Sequence, residues 1–166
     1  MADMGMQFTV QFNKRLLSRL EQLTSKQQNS VQSKSIRAAM KKTVFPEARR
    51  RVPKQSKALW KNLTVSVKRE RGTVFMTGRV IGRNKKDPKT GRNPARYLHL
   101  VEGGTKPHSI FASAGKRLAI GGNTFPTEVH NPGTRPQRFL ENAFSVKWRQ
   151  MQRELEIQLE KFIAAS

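Results

Sequence analysis

The chain has 166 residues, 36% of them hydrophobic, and carries 33 Lys and Arg against 11 Asp and Glu, a net charge of +22. That length gives one domain with a modest core, and charge on this scale speaks of partners and solubility rather than fold: it points to polyanions or acidic surfaces and makes copies repel one another. The absence of cysteine excludes disulfides and thiol catalysis, no apolar run approaches the ~20 residues of a membrane span, and the opening residues lack the pattern of a secretion signal.

Residues 7–11 alternate polar and apolar, with Phe8 and Val10 in step, and predict a short strand. From Phe12 the period changes: Phe12, Leu16, Leu20 and Leu23 fall at helical spacing, an amphipathic helix to about Ser25. Gln27, Gln28, Asn29 and Ser30 predict a polar break. A second helix follows, with Val31, Ser35, Ala38, Ala39 and Val44 on one side and Lys34, Arg37, Lys41 and Lys42 on the other. Pro46 is expected to kink or restart it, since proline removes a helical hydrogen bond and clashes one turn back. The continuation runs from Glu47 to Val52 and ends before Pro53, after which residues 53–63 lead into strands. Leu63, Val65 and Val67 alternate with Thr64, Ser66 and Lys68; residues 70–72 make a turn; residues 73–81 return with Val74, Met76 and Val80 on one face. This is a β-hairpin with one face to the core.

Residues 82–94 form a glycine-, proline- and charge-rich loop, too polar to bury and expected to be flexible. Residues 95–102 predict a short helix and 106–114 an irregular segment. Residues 118–120 and 124–130 read as two short strands around Gly121, Gly122 and Asn123. The longest helix is expected over 136–165, with Phe144, Trp148, Met151, Leu155, Leu159 and Phe162 as its apolar stripe. That stripe suits a core contact with the first two helices and leaves residues 155–163 for docking on a neighbouring copy. The fold class is α+β: one domain over 1–166 with N-terminal helices, antiparallel β-hairpins and a long C-terminal helix.

The stretch from Tyr97 to Phe139 organises the rest. Tyr97, Leu98, Leu100 and Val101 make a compact apolar segment that Gly103 and Gly104 stop, glycine reaching φ > 0 at little steric cost. Pro132 and Gly133 form a second turn, and Pro136 is placed to start the final helix, where its missing N–H costs nothing. The three histidines, His99, His108 and His130, have no Asp or Glu at ligand spacing beside them, so surface or loop-ordering roles are expected rather than zinc or acid–base chemistry. Glu102 alone is acidic in the central motif, which argues against a paired-carboxylate hydrolase; it suits a hydrogen bond from a neighbouring loop, a pairing with an Arg, or an intersubunit salt bridge. Residues 103–106 (Gly-Gly-Thr-Lys) lack the spacing and context of a phosphate loop. No cofactor, metal or catalytic group is expected.

The positive charge is uneven. Residues 34–71 hold 13 basic side chains against Glu47 and Glu70; residues 83–96 hold 6 against Asp87; from Arg135 onward 6 basic face 4 acidic. Arg49, Arg50 and Arg51 are the densest point. With Lys85, Lys86, Lys89 and Arg92 they are the candidate contacts for DNA or an acidic partner, since counterion release rewards clustered Lys and Arg without base-specific contacts. No zinc finger, basic zipper or aromatic RNA-binding signature is present. Trp60, Tyr97 and Trp148 suit core or interface anchors.

A Tyr-x-x-x-Val-Glu-x-Gly-Thr block (Tyr97, Val101, Glu102, Gly104, Thr105) precedes a Pro-Gly-Thr-x-Pro-x-x-Phe-Leu-x-x-Ala block (Pro132, Gly133, Thr134, Pro136, Phe139, Leu140, Ala143) and a terminal helix. Together these resemble the head–tail joining, or neck and tail-completion, proteins of long-tailed double-stranded-DNA bacteriophages. Pro53, Ser56, Leu59 and Leu63 fit the same pattern loosely. The chain departs from it at Gly103, where the family usually has an aromatic residue, at Asn131, which separates His130 from Pro132, and at Arg138, where proline is frequent.

The resemblance implies a non-enzymatic virion protein, assembled in the host cytoplasm into a homo-oligomeric ring of roughly six or twelve copies. Such a ring joins the head-closure or connector protein to the tail terminator or tail tube protein and leaves a channel for DNA, with no membrane partner. Two readings of other classes stay open: a stand-alone basic nucleic-acid-binding module without sequence preference, and a small hydrolase using the histidines.

Overall fold

A computed structural model describes residues 14–53, 57–69, 76–86, 88, 91, 93–112, 118–120, 123–125 and 128–166. The strand expected over 7–11, Phe12, the turns at 70–72 and 121–122, Val74, Lys89 and Arg92 lie outside these residues. The fold is α+β: helices, small antiparallel hairpin sheets and a long C-terminal helix. The chain divides into two compact units, Met1–Leu98 with Phe139–Ser166, and His99–Arg138.

The first unit is built on α2 (Ser25–Lys42), α3 (Val44–Arg51) and α6 (Phe139–Ala164), with α1 (Lys14–Glu21) touching α6. Residues 27–30 do not break the chain as expected; they are the first turn of α2. The reason is a capping box: Thr24 Oγ1 accepts the Gln27 N–H at 3.4 Å, and Gln27 Oε1 accepts the Thr24 N–H at 3.0 Å. The interruption before Pro46 falls at Thr43 (φ −117°, ψ −75°). Helix α3 restarts at Val44, so Pro46 sits in a first turn, where no intrahelical bond is lost.

Val31, Ser35 and Ala39 of α2 are buried along with Met151, Leu155, Leu159 and Ile163 of α6, which packs on α2 and α3. Small residues let the helices approach, and the buried hydroxyls of Ser35 and Thr43 each donate back to a carbonyl four residues earlier at 2.8 Å. Phe144 is buried as the periodicity requires, while Trp148 and Phe162 are half-buried and Gln158 is buried instead. The distal stripe is therefore not left for a neighbouring copy: Leu155, Leu159 and Ile163 are consumed by this chain's own core.

A short helix, α4 (Lys57–Asn62), stands where the sequence suggested only a lead into strands; it buries Ala58 and Leu59. The hairpin of β1 (Leu63–Arg69) and β2 (Met76–Gly82) follows in the expected place, with Val65 opposite Val80 and Val67 opposite Gly78. The inner face packs on α2. A Cβ at Gly78 would run into Met40 Sδ and lie 2.7 Å from Ile36 Cγ2, so a larger residue there requires those side chains to shift. Helix α5 (Pro94–Gly103) begins with Asn93 as its cap, whose Oδ1 accepts the Ala95 N–H at 3.1 Å, and with proline at the first helical position.

The second unit holds the end of α5 and two small ribbons: β3 (His108–Phe111) with β6 (Glu128–Asn131), and β4 (Leu118–Ile120) with β5 (Asn123–Phe125). Residues 108–111 are thus a strand and not irregular; four residues are too few to show a period, and their partner lies about 20 positions along. The single strand expected over 124–130 is two, β5 ending just before Pro126, which has no N–H for a ladder.

Phe139, only 2% exposed, opens α6 inside the core. Phe139→Ala is expected to lower the unfolding free energy by ~3 kcal/mol or more in chemical denaturation, the cost of emptying a buried Phe site. A near-neutral change would place the ring outside the core.

Candidate functional site

The two halves of the central motif meet. Thr105, after α5, and Thr134, after β6, form an isolated antiparallel bridge: the Thr105 N–H donates to the Thr134 carbonyl at 3.0 Å and the Thr134 N–H to the Thr105 carbonyl at 3.1 Å. Their hydroxyls are 3.1 Å apart. Three and four residues after Thr134, the Gln137 and Arg138 N–H groups donate to the carbonyls of Val101 and Glu102, each at 3.1 Å. The last carbonyls of a helix have no partner of their own, so the 134–138 segment caps α5.

Both glycines are shaped by the opposite loop. Gly104 has φ +70°, and a Cβ there would strike the Thr134 carbonyl and lie 2.8 Å from the Pro136 nitrogen. Gly133 has φ +78°, and its Cβ would strike the Thr105 carbonyl. Pro136 does not start α6 as expected. It lies against Gly104, and the next two N–H groups are committed to α5, so the helix begins only at Phe139. Arg138 has φ +44°, a value proline cannot adopt. Asn131 has a role too: its Oδ1 accepts the Gly133 N–H at 2.9 Å, an Asx turn that sets the approach to Gly133. Tyr97, Val101 and Glu102 are half-buried on α5, and Pro132 is exposed.

The histidines are not brought together. In the β3–β6 register Ser109 faces His130 and His108 faces Asn131, so His108 and His130 project from opposite faces of the ribbon. His108 Nδ1 lies 3.0 Å from the Lys106 carbonyl. Among the described residues no three of His, Cys, Asp and Glu gather at metal-binding distance, and no helix is long and apolar enough to cross a membrane.

The candidate polyanion contacts fare unevenly. Glu47 takes Arg50 at 2.7 and 3.1 Å and Arg51 at 2.5 Å. Arg49 stacks 4.1 Å from the Trp60 ring centroid and 5.6 Å from that of Phe45. Its Nε is buried without a hydrogen-bond partner, and Trp60 is 45% exposed. The densest basic run is therefore largely occupied by its own chain, although Arg50 remains mostly solvent-exposed. Lys85 and Lys86 are exposed. Sequence reasoning missed Asn131, Gln137 and Arg138; the Asn-Pro-Gly run was the available signal for the first, whereas the other two act through main-chain N–H groups that side-chain identity does not reveal.

Comparison of the chain with protein-family models, with curated proteins and with solved structures gives no match.

Gly104→Val is expected to cost about 2 kcal/mol or more, combining left-handed strain with the clash on the opposite loop. An unchanged melting temperature would show that the loops do not constrain each other. The hydrogen bonds from Arg50, then Arg51, hold the Glu47 carboxyl at about 2, below its ordinary 4.5. A depressed carboxylate stabilises the fold above its unfolded value and loses that contribution as pH falls through the folded one. Melting temperatures of the native chain and Glu47→Gln are therefore expected to differ most above about pH 4.5 and to converge towards about pH 2. A constant gap across that window would remove the ion pairs as its cause.

Proposed function

We propose that the chain is a non-enzymatic virion protein of the neck or tail-completion type. It is a subunit of a ring at the junction of capsid connector and tail in a long-tailed bacteriophage, and the ring leaves a channel for the genome. The observation that carries the reading is the Thr105–Thr134 bridge. The glycine–threonine turns of the two blocks that resemble the family are nearly 30 residues apart, yet they pair directly, and each backbone stands where a Cβ on the other's glycine would lie. A joint of this kind holds a surface for docking and has no need of a nucleophile or metal. Its neighbours on this reading are a head-closure or connector protein on one side and a tail terminator or tube protein on the other. A ring of copies each carrying +22 needs counter-charge from those neighbours or from nucleic acid.

The same charge favours a second reading, a stand-alone module binding nucleic acid without sequence preference. Particles assembled without the protein separate the two. On the neck reading, electron microscopy of lysates shows filled heads and complete tails that stay unjoined, and added purified chain restores joining. Normal joining in its absence, with a monomeric chain that binds duplex tightly, would overturn the neck reading in favour of the second.

A further inference from the structure

We infer that the solvent face of α2, carrying Lys34, Arg37 and Lys41, is a contact surface for the phosphate backbone of duplex nucleic acid. At 3.6 residues per turn, Lys26, Ser30, Ser33, Lys34, Arg37 and Lys41 fall within roughly 100° of the helix circumference. The opposite side carries Val31, Ser35 and Ala39, buried beneath α6, and Ile36 and Met40 meet the hairpin at Gly78. No acidic residue occurs in α2. Lys34, Arg37 and Lys41 are exposed and form no hydrogen bond or ion pair with any of the described residues.

This sets them apart from the other basic groups nearby. Lys42 is held by Glu154 at 2.6 Å, Arg49 lies against Trp60, and Arg50 and Arg51 share Glu47. The charge that α2 presents is thus uncompensated, whereas the arginine run of α3 is partly neutralised. The composition of the face selects the partner. Protein interfaces centre on apolar and aromatic side chains and deplete lysine; this face offers only Lys, Arg and Ser, the side chains that contact phosphate oxygens. Lys34 and Lys41 are about 10.5 Å apart along the axis at 1.5 Å per residue. That spans about three phosphates of one strand at 3.4 Å each. Contacts to phosphate carry no sequence information, so binding through them is independent of sequence. That the duplex is a packaged genome rests on the neck-ring reading; the contact itself does not.

The test is fluorescence anisotropy of the full chain with a labelled mixed-sequence duplex over a range of salt concentrations. K34Q/R37Q/K41Q is expected to make the slope of log K against log salt shallower by roughly 2 to 3, about 0.9 for each phosphate released, with the melting temperature retained. Arg149→Gln, Arg153→Gln and Lys161→Gln together remove the same charge from exposed positions of α6 and are expected to leave the slope nearly unchanged. Equal slopes for the two triple variants would reduce the effect to net charge and overturn the assignment. So would a triple α2 variant that loses polyglutamate binding while its duplex slope stays as in the native chain, which would give the face to an acidic protein. The single variants K34Q, R37Q and K41Q, each expected to lower the slope by about 0.9, keep the test open should the triple fail to fold. A lost slope supports the contact whether or not heads and tails join, so this inference and the neck reading fail separately.

Discussion

Helix α2 is committed on two sides, and the first unit follows from that. One side lies under α6 through Val31, Ser35 and Ala39; the next meets the hairpin through Ile36 and Met40. The two contacts place opposite demands on size. Against α6 the residues are small, and the one buried hydroxyl among them, Ser35, satisfies itself within the helix. Against the hairpin they are large, and the strand presents glycine at position 78, directly beneath the Met40 and Ile36 side chains. What remains of α2 is a single solvent face, and all of its unpaired charge is concentrated there.

The second unit depends on reciprocity. A β-turn or a helix C-cap is usually shaped by its own residues, but Gly104 and Gly133 also face the opposite loop: where a Cβ would stand lie the carbonyls of Thr134 and Thr105 respectively. The capping of α5 by the N–H groups of Gln137 and Arg138 extends the arrangement to the point where α6 begins. The glycines let two backbones approach, and the paired threonines bridge them through main-chain N–H and carbonyl groups.

Much of this was legible in the residues, and the failures have definite causes. Helix-period and strand-period patterning placed most of α2, the β1–β2 hairpin and α6, because each buries one face and the pattern is long enough to repeat. It placed Lys34, Arg37 and Lys41 opposite Val31, Ser35 and Ala39 as found, but Val44, expected on the apolar side, belongs to α3, and Lys42, expected on the basic side, pairs with Glu154 of α6. It failed where the deciding group was a main-chain one or lay far along the chain. Gln27 looked like a break because its role is to accept the Thr24 N–H. The strand β3 is visible only from β6, and Pro136 seemed a helix start because the demand of α5 for donors cannot be read locally. Gly104 and Gly133 were legible as turns; that each is fitted to the other was not.

The same distinction governs the charge. Linear density picked out Arg49, Arg50 and Arg51 as the basic centre, but consecutive residues on a helix point in different directions and meet different neighbours. Glu47, one turn before Arg50 and Arg51, collects both, and Trp60 takes Arg49. Spacing of three and four does the opposite for Lys34, Arg37 and Lys41: they are dispersed in sequence, share one face, and have no acid within reach on their own helix. For a polyanion that meets the protein as a surface, three unpaired cations in register present more field than three adjacent ones whose counter-ion is already in place. Of the two neighbouring helices, α3 has its arginines engaged by Glu47 and Trp60, whereas Lys34, Arg37 and Lys41 of α2 have no partner among the described residues.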